Sequence, residues 1–528
     1  MITAKIRLAI HKPIRQTMSR LVRFGLGLSA CVMVAGASVL SLSANAALGD
    51  ISKNISSDIY KVLTGGGHVV TQGVVVMRLS DGKVLFEKDA DKLLAPASLT
   101  KVLTSAAVLT RLTPVHTFAT PLYYTGTRKG GKITGDLVVV GNGDPFLVSE
   151  KLWQMAADLR NLGVREFTGN LIIDNSLFDD ESRDESREEG RVNSRHAYDA
   201  PVSAFGVNFN TYAVSVAPGD HVGQAALSSL DPYPLPGVQI ENKARTSAHK
   251  DIPPKGHTVS VARHVGRGAA ERLSVTGNIA LGAPVQKIYR SVADDLLASG
   301  EYVRAFLNHE GIVIRGVTKS GIKPVNATLL YEIESYEMRR IVAGLNTFSN
   351  NFIADVLVKR LGAAFPRKGA ADAPGSGSYA NGMEVLREFL TKDVGIKTEF
   401  TLENGSGLAT ENRLTARQIG TVLSYMEKHM EVFPEFLASL PATGWDGTLK
   451  KRFHRGDTED LQGLIRAKTG TLTEPIAVSG IAGYFRHPTQ GLVAFCVVEN
   501  GKPGQRQPSI VDLRERQDRV LTAFLNDL

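Results

Sequence analysis

The chain has 528 residues, 43% hydrophobic and 22% charged, with two cysteines and a formal net charge of +8. Its length exceeds one ordinary core and its composition excludes disorder and a collagen-like repeat, so two or three folded domains are expected. The basic excess is local: six of the 61 Lys and Arg residues lie in the first 23 positions, and the remaining 55 face 53 acids. A net charge of about +2 beyond that stretch removes the main support for nucleic-acid binding.

The N-terminus begins with Lys5, Arg7, Lys12, Arg15, Arg20 and Arg23, continues through the uncharged, mostly small or apolar stretch Phe24 to Leu42, and reaches Ala44-Asn45-Ala46. A basic start, an apolar run and a small-x-small site predict a secretory signal peptide over residues 1–46, cleaved after Ala46. A membrane anchor is the rival, since about 20 apolar residues span a bilayer, but the placement of Ala44-Asn45-Ala46 favours cleavage. Leu28-Ser29-Ala30-Cys31 has the form of a lipidation site, although the apolar stretch runs on past Cys31. Cleavage leaves Cys496 alone in the apolar run Leu492 to Val498, so no intramolecular disulfide is expected and the thiol is read as packing.

In chain order, Val74 to Leu79 and Val84 to Glu87 flank Ser80-Asp81-Gly82-Lys83 and predict a hairpin opening an antiparallel sheet. Pro96-Ala97-Ser98 then leads into the helical stripe Leu99, Val102, Leu103, Ala106 and Leu109. Residues 116–324 have a different texture, with β-like runs such as Gly135 to Val140 and Asn170 to Asp174, many turns and few helical patterns, so an inserted β-rich region is expected there. The charged run Asp179 to Glu189 nearly balances its signs and reads as a solvated surface. Helical periodicity returns at Ser335 to Leu345 and at Asn351 to Leu361. Lys368 to Ser378 is a loop, and Asn404-Gly405-Ser406-Gly407-Leu408 a turn. Ile510 to Leu525 predicts a final helix that packs on the sheet, because acids interrupt the polar face a membrane-surface helix would need.

Ser-x-x-Lys occurs four times, starting at Ser80, Ser98, Ser247 and Ser320, and only Ser98 begins an amphipathic helix. Residues three apart on a helix share a face, so Ser98 and Lys101 can meet. A serine becomes a nucleophile when a base takes its proton, and a lysine is that base only when neutral. At pH 7 an ordinary lysine is neutral about once in 2,500, and moving its pKa near neutrality requires roughly 4 kcal/mol of disfavoured charge. Partial burial and a second cation can offset it, and Lys468 is the obvious second cation. The backbone amides of Ser98 and Thr471 are candidates for an oxyanion hole. Ser349-Asn350-Asn351 reads by default as a helix N-cap. In a site, Ser349 would relay a proton and the Asn351 amide would hold a substrate peptide group. Lys468-Thr469-Gly470 occurs once and offers a cation and a hydroxyl to a carboxylate, with Gly470 letting an extended ligand lie close. No His-Glu-x-x-His, paired Cys-x-x-Cys or Gly-Lys-Ser/Thr loop competes.

Ser98-x-x-Lys101, Ser349-x-Asn351 and Lys468-Thr469-Gly470, in this order, resemble the three motifs of the D-alanyl-D-alanine carboxypeptidase and endopeptidase group of class C low-molecular-mass penicillin-binding proteins. Leu94 to Lys101, Gly141 to Pro145, Asp174 to Asp179, Asn404 to Leu408 and Asp446 to Leu449 also look like family segments. The resemblance implies an α+β fold: a β-lactamase/transpeptidase-like domain, an antiparallel sheet flanked by helices, built from 47–115 and 325–528, with the β-rich insertion 116–324 as two small domains. It implies a periplasmic serine DD-peptidase of peptidoglycan stem peptides and crosslinks that needs no cofactor, takes β-lactams as covalent inhibitors, binds no nucleic acid and has at most a loose membrane association. Ser98 is then the nucleophile, Lys101 the base, Ser349 the relay, Asn351 a substrate contact, and Lys468, Thr469, Gly470 and Thr471 the substrate-binding edge. The chain departs from the family at Asn404, where Asp is common, and at Asn193, Arg195 and His196, where some members place an acid before a Tyr-x-Ala-Pro-like segment. A β-lactamase or esterase on the same scaffold, or a wall-binding or β-lactam-sensing module without turnover, are the alternatives.

Overall fold

The computed structural model describes residues 59–63, 70–183, 195–252, 256–265, 271–366, 368–454 and 456–528. The expected signal peptide 1–46 with Cys31, the later part of the charged run (184–189) and Asn193 lie outside the described residues.

Val70–Arg78 (β1) and Val84–Lys88 (β2) form the expected hairpin, with Gly82 at φ 74° in its turn and the Lys83 amide donating to Asp81 Oδ1 at 3.1 Å. Three distant strands, Ile465–Leu472 (β3), Val478–His487 (β4) and Gly491–Gly501 (β5), complete an antiparallel sheet of order β2-β1-β5-β4-β3. The three central strands are covered on both faces, which is why they read as near-continuous apolar runs rather than alternating ones. Cys496 of β5 stands between Val75 and Ala482, fully buried, and burial pushes its thiol pKa up.

The helices of this part include Thr100–Leu112 (α1), Met338–Phe348 (α2), Asn351–Ala364 (α3), Ala416–Glu427 (α4) and Ile510–Asp527 (α5), of which α4 and α5 pack directly on the strands. Val75, Met77, Leu99, Leu103, Leu345, Leu357, Ile419 and Leu423 belong to one core on the α1 side. Gly420 lets α4 approach β1, since a Cβ there would lie 3.0 Å from Val75 Cγ1. On the opposite face α5 buries Leu513, Val520, Leu521 and Phe524, and the Phe524 ring is 5.8 Å from that of Phe86. The final helix is thus a sheet-packing helix, and no helix among the described residues is long and apolar enough to cross a membrane.

Between α1 and α2 the chain builds a second core, running from Leu122 to Ile333. Ala119–Tyr124, Leu137–Val140, Leu171–Asp174, Thr318–Ser320 and Thr328–Glu334 form one five-stranded sheet there, and residues 211–291 supply two three-stranded sheets. Two helices, Ser149–Asn161 and Asp295–His309, lie in this region, which the sequence pattern marks as β-rich with few helical stretches. Their stripes, Leu152, Met155, Ala156 and Leu159 in the first, are short and flanked by stronger strand signals. The outgoing and returning connections run side by side, with Ser335 N donating to Phe118 O at 2.9 Å. The start of the charged run is not a free solvated surface: buried Lys359 of α3 donates to Asp179 Oδ1 and to the carbonyl of Glu181, both at 2.5 Å.

Candidate active site

Ser98 lies in a single 3₁₀ turn, Ala97–Leu99, that feeds directly into α1. Ala97 has φ 49°, a left-handed conformation that costs a Cβ-bearing residue about 1–2 kcal/mol and is held here by the surrounding packing. One turn on, the Lys101 side chain is fully buried. Its Nζ is 3.2 Å from Ser98 Oγ, 2.6 Å from Asn351 Oδ1 and 2.5 Å from the carbonyl of Ser406. The predicted Ser98–Lys101 contact is therefore present, and two further acceptors from distant segments surround the amine.

Ser406 belongs to the glycine-rich segment whose residues by themselves indicate only a turn. It is a buried floor to the site. Thr104 Oγ1 donates to Gly405 O at 2.7 Å, and Gly407 N donates to Asn404 Oδ1 at 2.9 Å. Gly407 has φ 80°, and a Cβ there would fall 2.0 Å from the Ala97 carbonyl, so glycine is required for the turn to seat beneath Ser98. Asn404 Oδ1 accepts from Gly407 N as a carboxylate oxygen could, so the turn is closed here with Asn at the position where the family commonly has Asp.

The link between α2 and α3 carries the second element. Asn350, not Ser349, is the N-cap of α3, its Oδ1 accepting from Ile353 N at 3.1 Å. Ser349 instead closes α2 in a left-handed conformation, φ 55°, and its Oγ accepts from Lys468 Nζ at 2.7 Å. Asn351, expected as a substrate contact, spends both ends of its amide on the protein. Its Oδ1 takes a Lys101 N–H, and its Nδ2 donates to Tyr198 O at 2.8 Å. Tyr198 comes from the inserted region, stacked on His196 with ring centroids 5.0 Å apart.

Strand β3 closes the site. Ala467 N donates to Pro441 O, away from β4, so the alternation of an antiparallel ladder turns the N–H groups of Thr469 and Thr471 outward as well. Side chains alternate too. Lys468 and Gly470 face the Ser98 turn, while Thr469 Oγ1 meets Thr448 Oγ1 at 2.8 Å and Thr471 Oγ1 accepts from Arg514 Nη2 at 3.1 Å. Gly470 packs closely on the serine turn: a Cβ there would lie 2.7 Å from Pro96 O, and one on its cross-strand partner Gly480 would lie 2.7 Å from Leu99 Cδ1. The pair lets β3 and β4 press against the serine turn. Thr448 and Arg514 escape sequence reasoning because only tertiary packing brings them to β3.

Lys468 is fully buried, and its pKa is driven well below the ordinary lysine range, first by burial and then by repulsion from Lys101. Its Nζ is held by Ser349 Oγ and by the Thr469 carbonyl at 2.6 Å. The two lysines thus share one water-excluded site in which a second positive charge is costly.

A serine hydroxyl with a buried amine beside it, a second hydroxyl–lysine pair and an outward-facing strand edge, mounted on a helix-flanked antiparallel sheet, are the features of a penicillin-recognising serine hydrolase. A model of the D-Ala-D-Ala carboxypeptidase 3 (S13) family matches residues 57–522, and the chain belongs to that family. It is 30% identical over 459 residues to a D-alanyl-D-alanine carboxypeptidase of Actinomadura sp. strain R39, covering 83% of this chain and 79% of the relative. It is 23% identical over 446 residues to the D-alanyl-D-alanine carboxypeptidase DacB of Haemophilus influenzae, covering 84% and 88%. The crystal structure of penicillin binding protein 4 from Haemophilus influenzae superposes with a TM-score of 0.70 at 21% identity, over 89% of this chain and 99% of that one.

Proposed function

We propose that the protein is a periplasmic serine DD-peptidase in which Ser98 is acylated by the penultimate D-alanine of a peptidoglycan stem peptide. The observation that carries this reading is the environment of Lys101 Nζ. A neutral amine has two N–H groups and one lone pair. With the N–H groups donated to Asn351 Oδ1 and Ser406 O, the lone pair is left for the Ser98 hydroxyl, its third neighbour.

Lys101 then takes the Ser98 proton as Oγ attacks, and the oxyanion forms between the amides of Ser98 and Thr471. Ser349, anchored by Lys468, passes a proton to the departing amine as the C–N bond breaks. Lys468 and Thr469 receive the carboxylate of the leaving residue, and water later releases the acyl group from Ser98. A β-lactam supplies a comparable carboxylate and a strained amide, so it acylates the same oxygen.

Labelling with a fluorescent penicillin tests this. The mature protein should form a stable adduct on Ser98, located by peptide mass, and Ser98→Ala should form none. Full labelling of Ser98→Ala would remove the nucleophile assignment, and rapid loss of the penicilloyl adduct would turn the reading toward a β-lactamase.

A further inference from the structure

Past the carboxylate end of the site the surface opens into a cleft of about 770 Å³ between α5 and residues 447–454, 456 and 458. Its rim is continuous with β3: Thr448 hydrogen-bonds Thr469, and Arg514 on the cleft wall hydrogen-bonds Thr471. Gly447 fastens the near wall beside Ser349, because its backbone packs so closely on α2 that a Cβ would lie 2.3 Å from the Thr347 carbonyl.

The cleft is cationic. Arg452 is neutralised by Asp518, with Nε 2.9 Å from Oδ1. That leaves Lys450, Lys451, Arg514 and Arg519 on the walls against a single further acid, Glu515, among the described residues. Lys450, Lys451 and Arg519 are exposed and make no ion pair among the described residues, so their charge faces whatever occupies the space. A cluster of cations beside a low-dielectric wall attracts and holds carboxylates.

The position of the cleft decides which part of a substrate reaches it. When a terminal D-alanine leaves, its carboxylate at Lys468 and Thr469 is the end of the substrate and nothing extends beyond. When a crosslink is cut, the leaving amine belongs to a second stem peptide, which continues past that carboxylate and carries further carboxylates of its own. We propose that this cleft is a binding site for the acidic leaving peptide of a crosslink, with Lys450, Lys451 and Arg519 as its carboxylate contacts, so that the enzyme selects crosslinked over free stem peptides. This rests on the proposed DD-peptidase reading.

The test uses the mature protein and the triple variant Lys450→Ala/Lys451→Ala/Arg519→Ala, with a crosslinked muropeptide dimer and a monomeric pentapeptide as substrates and penicillin acylation as the check on the site itself. The triple variant should lose roughly tenfold or more in kcat/KM on the dimer, while the pentapeptide rate and penicillin acylation stay within about twofold. Lys451→Glu should move in the same direction, and amidating the carboxylates of the dimer's leaving peptide should abolish the difference between wild type and variant. Equal losses on both substrates, no loss on the dimer, or variants that alter only adsorption to an anionic wall polymer would overturn the cleft assignment. A wild-type protein that is not acylated by penicillin and cleaves neither substrate would overturn the DD-peptidase reading instead.

Discussion

Lys468 Nζ lies 2.7 Å from Ser349 Oγ, tying the buried amine of β3 to the left-handed link between α2 and α3. The contact joins residues 119 positions apart in a site where both Lys468 and Lys101 are shut away from water. Burying two lysine amines without a carboxylate partner works against folding, because each must lose its hydration or give up its proton, so the arrangement comes at a cost in stability.

Replacing Lys468 with Met should therefore trade activity for stability. Its folded pKa is depressed below 10.5, so between the two values the unfolded chain binds more protons and wild-type stability rises with pH. The penalty is fully present below the folded value. Lys468→Met should melt higher than wild type at pH 7, with the gap narrowing as pH approaches 10.5, and its acylation by β-lactams should fall roughly 100-fold or more. Thermal unfolding at two pH values and stopped-flow acylation read both effects. A lower melting temperature at pH 7 would contradict the account.

Asn351→Asp keeps the shape of the side chain but sets a carboxylate against Lys101. An adjacent anion favours the ammonium, so the base should be harder to deprotonate and the pH–rate profile for acylation should move up by about 1–2 units. At neutral pH this costs roughly 10–100-fold, and part of the rate should return at higher pH. Loss of rate with an unmoved profile would mean that Asn351 acts only on the substrate.

Gly407→Ala tests the floor of the site. A methyl group at φ 80° and 2.0 Å from the Ala97 carbonyl should cost about 3 kcal/mol or more and disturb Ser98 directly. Gly491→Ala, at φ 74° but with open space around it, should cost only about 1–2 kcal/mol and leave penicillin labelling intact. Chemical denaturation and labelling of the two variants separate local strain from the clash.

Asp144 offers a pH signature away from the chemistry. Burial raises its pKa to about 6, against 3.8 for an ordinary aspartate, although Phe146 N donates to Oδ1 at 2.8 Å. With a raised folded value the native state binds more protons between pH 3.8 and 6, so stability falls as pH rises through that window and stays low above it. Asp144→Asn should be more stable than wild type at pH 7 by up to about 3 kcal/mol and gain nothing at about pH 3.5. Urea midpoints at both values decide it.

Local sequence carried much of the site. Ser98 and Lys101 meet because residues three apart at a helix start share a face, and the outward direction of Thr469 and Thr471 follows from the two-residue period of a strand. The hairpin, α1 and the final helix are legible for the same reason: their apolar periods and turn residues act over a few positions. The two helices of the inserted region are hidden because their stripes are short, and the capping role falls to Asn350 rather than Ser349 because one residue of left-handed backbone shifts the register of the helix start.

By itself, the order and identity of the residues determined which groups can do the chemistry: a hydroxyl, two lysines, a serine–asparagine pair and a strand edge. Tertiary structure alone decided how they are used. It placed the Ser406 carbonyl and Asn351 around Lys101, and it set Gly470 so close to Pro96 that a side chain there would keep β3 off the Ser98 turn. It also set Thr448 and Arg514 against the strand beside a basic cleft. These relations join segments as far as 305 positions apart, so they depend on how the core beneath α1 packs on one face of the sheet, which no local period encodes.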